Sequence, residues 1–209
     1  MRIATFIFKA MLKLRNFNFS KPMRATLHQT VSGVKPLGYA LLFAALTALA
    51  AWVEVPMVPV PMTMQTCAVL LSGALLGARW GAVSQVSYLV GGVFLPIYAG
   101  GAMGISTLFG ATGGYLLSFP LAAYLVGWWL REATIETSFY TVFARIFAAS
   151  LLVMIIGTLW LQVVMNLSLI QAVSVGFVPF IIGDAIKCSI VAVVVKADKW
   201  ISTHKPNLF

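Results

Sequence analysis

Residues 80–130 contain no charged side chain. A stretch that long and that apolar has no stable place in water. In hydrocarbon it must satisfy every backbone N–H and C=O internally, which leaves helices or a closed barrel. The rest of the chain agrees: it is 61% hydrophobic and 9% charged, where an ordinary soluble domain has about 25% charged residues. A barrel would alternate polarity along short strands. The runs here are continuous, so the expectation is an all-α polytopic membrane protein. Six transmembrane helices fit, near 37–53, 63–78, 81–95, 112–130, 140–165 and 176–197. The second and third are short for a core of about 30 Å.

The net charge of +9 would suit nucleic acid, but its distribution does not. Arg2, Lys9, Lys13, Arg15, Lys21, Arg24 and Lys35 supply seven of the charges, and residues 1–35 hold no acid. Such an arm before a first span reads as a cytoplasmic anchor. A transit-peptide reading stays open, as does an interfacial helix around residues 6–14. The arm, Arg79, Arg131 and the basic tail at Lys196, Lys199 and Lys205 alternate with loops free of Lys and Arg. An even number of crossings puts all of them on the cytoplasmic side, with both termini inside. Arg145 then snorkels inward, and Trp52, Trp80, Trp128, Trp129 and Trp200 mark the membrane boundaries. The expected division is a basic arm (1–36), a six-helix membrane domain (37–198) and a cytoplasmic tail (199–209), in the cytoplasmic membrane.

Several chemistries find no support. The chain has no GxxxxGK[ST] phosphate loop, no HExxH and no GxSxG. Cys67 and Cys188 read as small packing residues. The two histidines, His28 and His204, lie in the terminal arms. No metal, no cofactor and no enzyme activity are expected, and a transporter built from this chain has no ATPase of its own.

What remains is a short list of polar residues in apolar surroundings. Asp184 and Lys187 sit in the last run, about 8 and 12 Å along a helix that starts at Pro179. Three residues apart, they share a face. Intramembrane charges default to function, so the pair reads as the floor of an outward-facing pocket; an ion pair that only locks helices is the alternative. "VPVPMTMQT" (58–66) is a stiff entry that brings Gln65 to a pocket or merely starts a helix. Gly100, Gly101, Gly104, Gly110, Gly113 and Gly114 precede Tyr115, and allow either backbone approach to a ligand or tight helix packing. Ala40, Ala44 and Ala48, and Gly73, Gly77 and Gly81, form small-residue seams that meet either neighbouring helices or another subunit.

The motifs "VPVPMTMQT", "LLSGALLGARWGA", "FLPIYAGGAMG", "FGATGGYLL" and "GDAIK" resemble, in order and spacing, those of the BioY family, the biotin-binding S-components of energy-coupling factor (ECF) transporters. The resemblance covers roughly residues 37–198 and excludes the basic arm. It implies a six-helix subunit that binds biotin near the outer surface under a lid formed by the first outer loop. It also implies a transmembrane coupling subunit and ATPase subunits as partners, met through Ala40, Ala44 and Ala48. By the same resemblance Asp184 and Lys187 contact the ligand, with Gly101, Ala102, Gly104, Tyr115 and Gln65 lining the site. Departures are Met103 in a GG-x-GG pattern, Ala102 where some members have asparagine, and Leu116 where some have arginine. Ala111 and Ile182 stand where proline is frequent. The expected function is biotin uptake. An S-component for another small vitamin, or a membrane-embedded enzyme using Asp184 and Lys187 as acid and base, are the other readings.

Overall fold

The structure is a computed structural model that describes residues 34–204. The basic arm, its interfacial-helix reading and the end of the tail lie outside the described residues. The elements in order are α1 (Val34–Ala51), β1 (Glu54–Val55), β2 (Met62–Thr63), α2 (Gln65–Phe94), a 3-10 turn (Ala99–Gly101), α3 (Ile105–Phe109), α4 (Gly113–Trp129), α5 (Phe139–Val164), α6 (Leu169–Gly176) and α7 (Phe180–His204). Helix dominates, as the apolar runs predict. α5 is long and apolar enough to cross a membrane unaided.

α2 is not one rod. Gly77 has φ 80° and ψ 174°, a conformation that essentially only glycine adopts. Hydrogen bonds then join residues that a straight helix would hold far apart: Gln65 to Tyr88, and Gln85 to Ser72. A Cβ on Gly81 would lie 2.7 Å from the Cα of Gly73. The chain therefore folds back at Gly77 into two antiparallel limbs, 65–76 and 78–94. At 1.5 Å per residue these are about 18 and 25 Å long, so the short second and third segments of the sequence reading reflect a tight hairpin. The turn comes two residues earlier than expected. Gly77 is its apex and no part of a continuous small-residue seam.

The first limb and α4 run side by side in the same direction, because Gly73 packs on Ala123 and Gly127 packs on the Gly77–Ala78 peptide, with no room for a side chain on Gly73 or Gly127. α5 runs back along α4, with Gly157 under the ring of Tyr115. The core lies among the hairpin, α4, α5 and α7, around Val69, Leu70, Phe119, Val126, Ile146 and Val191. Against the outer face of the hairpin, α1 buries Ala40, Ala44 and Thr47. This is the packing alternative of the sequence reading, and it leaves Ala40 and Ala44 unable to serve as the partner-facing stripe that the resemblance implies. Ala40 and Ala44 are consumed by packing within the chain, where short side chains let two helices approach closely. Outward α1 instead shows Leu41 and Leu49, with Trp52 just past its end.

Two segments expected as outer loops have regular structure. "NLSLIQAVSV" contains α6, whose start Ser168 and Gln171 close as a reciprocal cap; α6 and α7 are bent by 44°. The segment 54–63 is a minimal antiparallel hairpin with Glu54 opposite Thr63. Its prolines hold the strands short, and the Val58–Pro59 peptide is cis.

Candidate functional site

Limb 65–76, α4 and α7 all begin at the same end of the bundle, and a cavity of about 180 Å³ opens between their first turns. Val60 and Pro61 of the 54–63 hairpin cover it, and Tyr98, Ala99 and Ala102 close one side. Three helix N-termini, each carrying the positive end of its dipole, converge there.

Asp184 and Lys187 form the charged part of the wall. Lys187 Nζ lies 2.7 Å from Asp184 Oδ1 and donates a second bond to Thr66 Oγ1 at 3.1 Å. Ser150 Oγ donates to Asp184 Oδ2 at 2.6 Å. The two residues keep only 3% and 5% of their surface exposed. Burial at that level is tolerable because each charge has an opposite charge and a hydroxyl beside it. The i, i+3 spacing on α7 puts both on one face, as the sequence reading expects.

Gln65 is the first residue of the hairpin limb and is held at both ends of its amide. Thr63 Oγ1 donates to its Oε1 at 2.8 Å, and its Nε2 donates to Tyr88 Oη at 2.5 Å. Tyr88 in turn donates to the carbonyl of Ile97. The second limb and the glycine-rich segment thus fix the orientation of a cavity side chain. Tyr98 lies edge-on to Tyr88 and donates to Leu89 O at 2.6 Å. Burial pushes its hydroxyl above the ordinary tyrosine range.

Tyr115 lines the cavity with its ring, tilted against Phe180. Its hydroxyl donates to Gly176 O at 2.6 Å, so it ties α4 to α6. The glycines before it divide. Gly101 and Gly104 have positive φ and shape the turn, but neither borders the cavity, whereas Ala102 between them does. Gly113 and Gly114 lie hard against Trp160, which is the packing alternative. The structure therefore gathers Asp184, Lys187, Gln65, Tyr115 and Ala102 around one space, with Gly101 and Gly104 outside its lining.

Ser150 escaped the sequence reading: it is one hydroxyl in an apolar helix, and nothing local marks it. Thr66 stands beside Gln65 in the "VPVPMTMQT" entry, but its bond to Lys187 is not written there. Only the packing of α5 and the hairpin limb on α7 brings them to the charges. No group of three or more His, Cys, Asp or Glu side chains able to hold a metal occurs among the described residues. Cys67 and Cys188 are buried and unpaired with each other.

Comparison with known proteins agrees with this architecture. A family profile described as the BioY family matches residues 21–203, and so reaches into the segment read as a separate arm. The biotin transporter BioY2 of Lactococcus lactis subsp. cremoris is 35% identical over 151 residues, 72% of this chain and 82% of that protein. The biotin transporter BioY of Thermotoga maritima is 34% identical over 154 residues, 73% of this chain and 89% of that protein. A solved structure of the S-component for biotin from an ECF-type ABC transporter superposes with a TM-score of 0.74 at 24% identity. The match covers 82% of this chain and 95% of that one, and it places the two in the same fold.

Proposed function

The chain belongs to the BioY family, and from that premise we propose that it takes up biotin as the substrate-specific membrane subunit of an ECF transporter. The observation that carries the reading is the buried Asp184–Lys187 pair in the wall of a closed, mostly apolar cavity at one end of the bundle. Biotin joins a planar ureido group, with two N–H donors beside one acceptor, to an apolar bicycle and a carboxylate tail. The neutral ureido group suits the pair: Asp184 accepts from an N–H, Lys187 donates to the ureido oxygen, and the pair stays electrically balanced. The carboxylate is poorly placed beside Asp184, where like charges would meet. It belongs toward the helix N-termini and the hydroxyls of Thr107 and Thr112, which border the same cavity. That assignment needs no arginine at Leu116. The Tyr115 ring, Phe180 and Met154 supply the apolar contact for the bicycle.

Six membrane crossings, with both termini on the cytoplasmic side and the cavity facing outward, complete the proposal. Six longer helical segments (34–51, 65–76, 78–94, 113–129, 139–164 and 180–204) support it, as does the clustering of basic residues in alternate connections. The 54–63 hairpin over the cavity acts as the lid. Uptake against a gradient draws on a coupling subunit and ATPases, since the chain has no phosphate-binding loop of its own.

The test is titration of the purified protein in detergent with labelled biotin. Saturable binding is expected, displaced by unlabelled biotin and not by other vitamins, and weakened by Asp184→Asn. Displacement by another vitamin at lower concentration than biotin, or an Asp184→Asn variant that is folded and binds as the parent does, would overturn the assignment.

A further inference from the structure

A second and larger hollow lies at the opposite end of the bundle, between the last turn of α4 and the first turns of α5. Tyr115 at the cavity and Trp128 in the hollow lie on one helix, about 20 Å apart along its axis. The hollow measures about 760 Å³. Its floor is Ala144 and Ala148, both exposed and one helical turn apart, whose short side chains leave the surface concave. Trp128 and Tyr140, 44% and 81% exposed, stand at its sides.

Arg131 and Arg145 border it. Arg145 is anchored by one bond from Nη1 to the carbonyl of Trp129 at 2.7 Å. A guanidinium has five N–H donors, so most of its fork is left for something else. Arg131 lies 5.5 Å from the centre of the Trp128 ring and 3.1 Å from Glu132. With two arginines and one glutamate, the hollow is cationic by one charge. An apolar floor, aromatic sides and a guanidinium pair at one edge match a molecule with an alkyl chain and an anionic head.

We propose that this hollow seats an anionic phospholipid of the surrounding bilayer, its phosphate held by Arg131 and Arg145 and an acyl chain lying over Ala144 and Ala148. Tryptophan, tyrosine and arginine gather where lipid headgroups lie, and guanidinium groups hold phosphate through paired N–H bonds. The basic N-terminal arm is the wrong occupant, since residues 1–35 bring seven positive charges and no negative one.

The experiment uses the full chain in detergent, mixed with phosphatidylglycerol or with phosphatidylcholine of the same acyl chains. Retained lipid is read by native mass spectrometry and biotin titration serves as the folding check. Phosphatidylglycerol should be retained over phosphatidylcholine, with a loss of about fivefold for each of Arg131→Gln and Arg145→Gln. Ala148→Leu, which fills the floor without altering charge, should also reduce retention and leave biotin binding intact. Equal retention of the two lipids, or retention untouched by all three substitutions, overturns the proposal. Displacement of the lipid by soluble glycerol phosphate at equal concentration does so too, as it would mark a headgroup site with no use for the chain. So would variants that keep the lipid but fail to capture a coupling subunit, which would make the hollow a protein contact.

Discussion

Lys187 and Asp184 are each held by the other and by one hydroxyl, in a place nearly closed to water. Changing one alone leaves a buried charge uncompensated, which costs about 3–5 kcal/mol. Lys187→Met should therefore lower thermal stability sharply, while Asp184→Asn/Lys187→Met together should recover much of it and still fail to bind biotin. A double variant no more stable than the single one would show that the pair is not coupled as drawn. Ser150→Ala removes the bond to Asp184 Oδ2; a bond to a charged group contributes about 1.5–3 kcal/mol. Its expected signature is a lower melting temperature together with weaker biotin binding, partly restored by Ser150→Thr. At this scale the charges were legible because nothing else in their apolar run resembles them. Ser150 and Tyr88 were not, since single hydroxyls are ordinary in membrane helices, and Thr66 was marked only as part of the "VPVPMTMQT" entry and not as a partner of the charges. Their role comes from residues as far away as 121 positions, the separation between Thr66 and Lys187.

Among the elements, the hairpin of α2 depends most on one residue. Gly77 has a backbone conformation that costs about 1–3 kcal/mol for other residues, and it carries the reversal that brings Gln65 to Tyr88. Gly77→Ala should lower the melting temperature measurably. Gly38→Ala, at an exposed helical position with nothing within 4 Å of a new Cβ, should be neutral or stabilise by up to about 1 kcal/mol. A loss at Gly38 as large as that at Gly77 would mean that the added methyl group, and not the turn, sets the cost, since alanine is the better helix former. The two short apolar segments were visible in the sequence, but the place of the bend was not. Gly73, Gly77 and Gly81 are spaced alike, and a spacing alone does not say which glycine faces a neighbour and which one turns the chain. α6 was missed for a related reason: eight residues are too few for a periodic signal, although the Ser168-x-x-Gln171 capping box is a local mark of a helix start that the sequence does carry.

For the whole molecule, the two ends are built for different tasks. At the end away from the cavity, Lys196 of α7 donates to the carbonyls of Ile135 and Thr137, pinning the connection between α4 and α5. Lys196→Met should speed proteolysis within residues 131–138 and leave biotin affinity unchanged, because the cavity is at the other end. A loss of binding in that variant would show that the two ends are coupled. Six crossings also predict that tags on both termini are reached by protease only after the cytoplasmic side is opened. Protection of one tag and not the other would refute an even number of crossings.

The sequence by itself determined the solvent of this protein, the approximate positions of its long helical segments and the residues carrying the intramembrane charges. All of these follow from composition and local pattern, since hydrocarbon forbids both unsatisfied backbone and unpaired charge. Tertiary structure alone decided that Gly77 turns the chain, that Ala40 and Ala44 face inward, and that Tyr115 spends its hydroxyl on Gly176. It also decided that Ala102 borders the cavity while Gly101 and Gly104 do not, and that Thr66 and Ser150 reach the charges. These depend on which helix faces meet, and contacts between faces far apart in the chain are set by close packing of the whole bundle and not by any stretch of it.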